Sequence, residues 1–272
     1  MSKQQEVNRK LQQQRSTLIR RNLRYARWQR HWAEIAVVLL TVYVLLPILA
    51  PTLMKVGATA PARVIYTVYS PLCHQFAFRS IFLYGDQTFY PRDQAANGFD
   101  HSFDKYAADS DEFVDIYTSY RRDNLGSRYQ FGGSEELAVW TPELQRAARQ
   151  FKGDEIMGYK TALCARDMAI YAAMAVGGFG FLFVRKKLRP VPIVLYVLLG
   201  LGPIGIDGFS QLLGYPPFEL WPPRETIPEF RVLTGALFGL MNVWLAFPYL
   251  EKSMIESASA MELTIQEMLA GD

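Results

Sequence analysis

The sequence predicts an all-α membrane protein with four transmembrane helices, an outer re-entrant or interfacial segment, and a small, mostly helical extracytoplasmic cap. Three observations carry that expectation. Long apolar runs alternate with charged stretches, so a mean hydropathy of only +0.01 conceals a segregated chain. Four of the runs are long enough to cross roughly 30 Å of hydrocarbon at about 1.5 Å per residue. Basic residues flank those runs unevenly, which sets an orientation.

Residues 1–31 read as a basic cytoplasmic tail, with Arg20, Arg21, Arg24, Arg27 and Arg30 placed to meet anionic lipid headgroups. The run 32–54 is the first span. "ATA" at 58–60 looks like a signal-peptidase site, but the basic region and the apolar run are both too long for a signal peptide, so the segment is expected to stay. Residues 61–85 are apolar but hold Pro71, Cys73, His74 and Gln75 mid-run. Polar groups at membrane depth need protein or water around them, so this stretch is expected to dip in or lie flat rather than cross. A crossing there would also put "RKKLR" (185–189) outside.

Residues 86–160 carry fourteen acids and nine bases, with turn signals at 97–98, 125–127 and 132–133. They read as the extracytoplasmic cap, with helix starts at Ser134 and at Thr141-Pro142. The acids lack the alternate-position spacing of a calcium loop and read as a solvated surface. The runs 161–184, 191–214 and 232–250 are the remaining spans, with an outer loop at 215–231 and a cytoplasmic helix over 251–272. Both termini are then cytoplasmic in a multi-pass protein of the cell membrane. Glycines 177, 178, 180, 200, 202 and 205 read as sites of close helix packing.

On this topology the unusual residues meet at the outer boundary. Cys73, His74, Gln75 and Arg79 come from the re-entrant segment. Cys164, Arg166, Asp167 and Tyr171 come from the second span, Asp207 and Gln211 from the third, Arg224 from the loop, and Arg231 from the fourth. Asp207 with Arg231 is the first pairing expected, and Asp167 with Arg166 or Arg224 the second. The bland alternative is that these groups only staple helices, at about 0.6–2 kcal/mol per interhelical hydrogen bond.

Three states are open to the thiols. A Cys73–Cys164 disulfide would close a loop of about ninety residues and contribute roughly 4 kcal/mol in the chain-entropy picture. A metal would take Cys73, His74, Cys164 and Asp167, a mixed donor set that zinc accepts. Free, packed thiols are the third state. Of the two bonded states the disulfide is preferred.

"PLCHQFAFRS", "LCARDMAIY", "GIDGFSQLLG" and "PEFRVLTGALFG" together resemble a bacterial multi-pass membrane family, the domain of unknown function 2085, over about 61–85 and 158–250. The resemblance implies a Cys-His-Gln block and a Cys-x-Arg-Cys block. It carries over to Cys73, His74, Gln75, Arg79, Cys164, Arg166, Tyr171, Asp207, Gln211, Arg231 and Gly235. This chain has Asp167 where many members have a second cysteine, which removes one soft donor. It also has the long 86–160 insertion. The resemblance implies architecture and a site but no reaction.

No phosphate loop, nucleophile elbow, zinc-protease or haem-attachment motif is present. The single basic cluster is juxtamembrane, which argues against nucleic acid as a partner. The leading expectation is a structural or partner-binding component of a membrane assembly, surrounded by lipid and by other membrane proteins. The runner-up is a membrane enzyme at headgroup level, with Cys73/His74 as nucleophile and base or as metal ligands, Asp167 or Asp207 as general base, and Arg224/Arg231 as an anion clamp. A transporter comes third, because few ionisable residues fall at the midplane.

Overall fold

In the computed structural model, which describes residues 3–270, four helices are long and apolar enough to cross a membrane. These are α2 (Trp32–Lys55), α8 (Ala165–Val184), α9 (Ile193–Leu212) and α10 (Pro228–Ala270). The chain is an all-α membrane protein with one small sheet. Residues 1–2 of the expected tail and 271–272 of the expected last helix lie outside the described residues.

The spans expose Val38, Leu39, Val42 and Leu45 on α2 and Val176, Phe179 and Phe183 on α8. Such faces are stable only against lipid or another protein. Inside the bundle, Phe181 and Phe247 pack edge-on beneath Trp32. Glycine lets α8 and α10 approach closely. A Cβ on Gly235 or Gly239 would run into the backbone carbonyls of Arg166 and Ile170. Gly177, Gly178 and Gly200 also face neighbouring side chains, as expected, whereas Gly180 and Gly205 face open space and pack on nothing. In α9, residues Tyr196–Leu201 form a π-turn just before Pro203, which has no N–H to continue the α ladder.

At the end of the bundle nearest the chain termini, Arg185 joins α2 and α10 through Glu34 (2.9 Å) and Glu251 (2.8 Å). There α1 (Lys3–Arg30) runs antiparallel along the far part of α10, with Gln29 bonded to Ser257 and Arg30 to Glu262. The helix expected over 251–272 is therefore an unbroken continuation of the fourth span. The expected basic tail is packed on it.

The opposite end carries the cap. After a turn at 56–58 comes α3 (Thr59–Tyr69), whose eleven residues are too few to span. Then follow β1 (Ser80–Leu83), α4 (Phe103–Asp109), α5 (Asp111–Leu125), α6 (Ser134–Ala138), α7 (Pro142–Gln150), β2 (Gly153–Asp154) and β3 (Gly158–Cys164). Ser102, Ser110 and Thr141 cap the starts of α4, α5 and α7. The cap core is aromatic, with Phe78, Phe82, Phe103, Phe113, Tyr117 and Phe151 buried together.

The cap is mostly helical, as expected, and carries in addition a small sheet. The sheet order is β1-β3-β2, all antiparallel, with Ser80 opposite Cys164 and Phe82 opposite Lys160. The Asp154 side chain accepts from the backbone of Ile156 and Met157, and Gly153 and Gly158 take positive φ, closing the β2–β3 turn. The apolar run expected to be helical from 161 is thus strand up to Cys164. A buried strand and a buried helix segment look alike in a short apolar run.

Candidate functional site

The sheet delivers Cys164 to the head of α8. Cys164 is extended and N-caps the helix, which places Asp167 in the first turn. The Cys164 thiol donates to Asp167 Oδ2 (3.1 Å), and the Cys164 N–H donates to Cys73 Sγ (3.3 Å). One donor atom from each of Cys73, Cys164 and Asp167 lies within 4.8 Å of the others. The two sulfurs are not bonded to each other in this structure, and the proximity that the bridge considered from sequence needs is present. The hydrogen bond with Cys164, then burial, then the Asp167 charge push the Cys73 thiol well above its usual range.

His74 does not join this group. Its ring packs on Phe76 (5.3 Å) and faces a neighbouring cleft. Adjacent residues of an extended turn point apart, which separates the two expected ligands. Gln75 is buried with φ +55°, and its amide bonds the carbonyls of Tyr66 and Ala162, so it fastens the 70–79 segment to α3 and β3. Tyr171 packs at a tilt on Tyr43 (4.5 Å), one turn beneath Asp167.

A second centre gathers the arginines, with partners other than those expected. Asp207 is buried and pairs with Arg166 and Arg224, not with Arg231. It also accepts from Gln211 (3.0 Å) and Thr226 (2.5 Å). Arg231 instead pairs with Glu225 and bonds Gln211 Oε1 (2.8 Å). Glu225 also takes Arg79 and the Tyr215 hydroxyl (2.5 Å). Asp167, expected on Arg166 or Arg224, faces Cys164. The pairing failed because the loop 215–231 folds back over α9, bringing Glu225 and Thr226 between the helices.

Burial opposes charge on Glu225, but the Arg79 and Arg231 guanidinium groups outweigh it and hold the carboxyl below its usual range. Four guanidinium groups face two carboxylates, leaving two positive charges over. Arg79 also lies against Phe76, Phe78 and Trp140, and Trp140 stacks on Tyr215 (4.1 Å), closing the cap onto the bundle. Between them lies a cleft of about 320 Å³ lined by His74, Arg79, Arg166, Gln211 and Tyr215.

Of the buried charged groups that escaped the sequence reading, Glu225 and Lys160 lie nearest the site. Glu225 had one signal, an acid directly beside Arg224 in a proline-rich loop. Lys160 is fully buried, and its ammonium donates to the carbonyls of Gln75 (2.5 Å), Ala148 (2.9 Å) and Arg149 (2.9 Å) with no acid beside it. Burial, then the nearby Lys152 charge, push its pKa far down.

Residues 145–245 match the family model described as "Predicted membrane protein (DUF2085)". The Uncharacterized protein MJ1492 of Methanocaldococcus jannaschii is 35% identical over 95 residues, which are 34% of this chain and 55% of that protein. The chain therefore spans about half the length of that curated relative, and since the relative is archaeal the likeness is not confined to bacteria. No solved structure matches the chain. Residues 145–245, which hold Cys164, Asp167, Asp207, Glu225 and Arg231, are therefore similar to the DUF2085 predicted membrane proteins.

Proposed function

We propose that this membrane protein holds a soft divalent metal, zinc by donor chemistry, on Cys73, Cys164 and Asp167, and that the site serves a structural or partner-binding role on the outer face of the membrane. The observation that carries the reading is the convergence of two sulfurs and a carboxylate from separate stretches to within 4.8 Å. Thiolate and carboxylate donors suit zinc, and three protein ligands leave one tetrahedral position for water or a partner's side chain. Bound there, the metal would fasten the 70–79 segment to the head of α8.

The scaffold role is favoured over catalysis by the state of the two acids. Asp207 accepts from Arg166, Arg224, Gln211 and Thr226, and Glu225 from Arg79, Arg231 and Tyr215. A carboxylate whose lone pairs are already taken by that many donors has no free position from which to accept a substrate's proton. The outward orientation rests on the basic residues of α1 and of 185–189, which gather at the other end of the bundle.

Elemental analysis of the purified protein, with thiols counted before and after reduction, tests this reading. We expect one zinc per chain, lost in Cys73→Ser and in Cys164→Ser and weakened in Asp167→Asn. Two free thiols without metal would defeat it. Thiols that appear only on reduction would replace the metal with a disulfide.

A further inference from the structure

We propose that the cleft between α3 and α7 is a binding site for a phosphate-bearing anion at the boundary of the membrane. None of the three metal donors lines it, so the proposal stands apart from the metal reading.

The cleft encloses about 400 Å³. Its cations are Arg63 on α3, Arg146 and Arg149 on α7, and Lys152 just beyond, and no acid lines it. Arg63, Arg146 and Lys152 enter none of the ion pairs formed among the described residues. Arg63, Arg146 and Arg149 are exposed and Lys152 is half-buried, so the cations stand open to a ligand from outside. Four like charges on one cleft with no acid beside them raise the local positive potential and attract an anion.

The geometry around them is ordered. Arg149 donates to the Ser70 carbonyl (2.9 Å) and hydroxyl (2.6 Å), which ties the end of α7 to the end of α3. Lys152 lies over the Tyr66 ring (4.6 Å) and donates to the Arg149 carbonyl (3.2 Å). Burial, then the Arg149 charge, push Lys152 down to about 8, the mark of a cation lacking a negative partner. Guanidinium and ammonium donors around a pocket of this size suit phosphate oxygens.

Position supplies the class of ligand. Only three residues separate the end of the spanning helix α2 from the start of α3, which sets α3 beside the headgroups. Val64 and Val68 are 62% and 61% exposed, one residue along from the cleft-lining Arg63 and Thr67. An apolar strip for acyl chains therefore adjoins a cationic cleft for phosphate. A lipid headgroup would enter from the bilayer side, and a soluble phosphate ester from the water.

Purified full-length protein in uncharged detergent is titrated calorimetrically with dihexanoyl phosphatidylglycerol, dihexanoyl phosphatidylcholine and glycerol 3-phosphate. We expect saturable binding of at least one of the two net anions and weaker binding of the zwitterion. The double variant Arg63→Gln/Arg146→Gln should lose about tenfold in affinity, and Arg63→Lys/Arg146→Lys should keep most of it. Phosphatidylglycerol binding without glycerol 3-phosphate binding assigns a lipid, and equal binding assigns a soluble ester. Failure of both anions to bind, or unchanged affinity in the glutamine pair, overturns the proposal. Should the glutamine pair not fold, the wild-type salt dependence decides, since binding unaffected by 0.5 M salt, an about threefold shorter screening length than at 0.05 M, is not held by these charges.

Discussion

Lys160 is the residue whose environment says most about how the cap is held to the bundle. Its backbone belongs to β3, its ammonium closes on two carbonyls at the end of α7, and its third bond reaches Gln75 beside Cys73. The Tyr66 hydroxyl accepts no role from it but donates to its carbonyl (2.5 Å), so α3 is tied in as well. The final carbonyls of a helix favour a cation, and three carbonyls satisfy all three ammonium protons. Lys160→Met keeps the length of the side chain and strands those carbonyls, each at about 1–3 kcal/mol, while removing a desolvated charge. We expect a net loss of about 3 kcal/mol, seen as a melting temperature about 5–10 °C lower by size-exclusion after heating. An unchanged melting temperature would show that water replaces the ammonium. Cys73, Cys164, Asp167 and Asp207 were legible in the sequence because such residue types are rare in apolar runs. Lys160 was not, because a charge at the edge of such a run reads as a solvated flank. The partners of Asp207 were not either, since they depend on how 215–231 folds back, and no periodicity encodes that path.

At the level of elements, the seam between α8 and α10 decides whether the site's two halves stay in register. Gly235 and Gly239 are four apart and both meet α8, at Arg166–Ala169 and at Ile170–Ala173. Arg166 and Asp167 therefore ride on the same contact that seats Arg231, one turn before Gly235. A Cβ on Gly239 collides with backbone, which cannot swing away as a side chain can. Gly239→Val should cost about 1–3 kcal/mol or more and lower zinc and thiol-site occupancy with it. Gly180→Ala, which meets nothing, should be neutral or should stabilise α8 by up to about 1 kcal/mol. Equal melting temperatures for the two variants would remove the seam from the account. The spans were legible in the sequence from length and apolarity, which are properties of a helix by itself. The strand at 158–164 was not, because its identity comes from pairing with β1, eighty residues earlier in the chain.

Across the whole molecule, charge and length point the same way. The helix α10 has 43 residues. At about 1.5 Å each it reaches roughly 65 Å, twice the hydrocarbon thickness. Its far half therefore stands clear of the bilayer with α1 packed along it, Ala26 against a face that buries Ala258 and Ile265. The exposed Arg20, Arg21, Arg24 and Arg27 ride on that projecting pair, and Arg128 is exposed on the cap at the other end. Cytoplasmic retention of arginine near a span predicts that the helix pair faces inward and the cap outward. Trypsin added to intact spheroplasts should then cut at Arg128, in the loop between α5 and α6, and leave the α1 arginines whole. Opening the membrane should expose α1 to cleavage. Cutting of α1 first would invert the protein, and would move the thiol cluster, the arginine centre and the α3–α7 cleft together to the cytoplasmic leaflet. The three are built on one end of the bundle, so they share whichever side the arginines refuse.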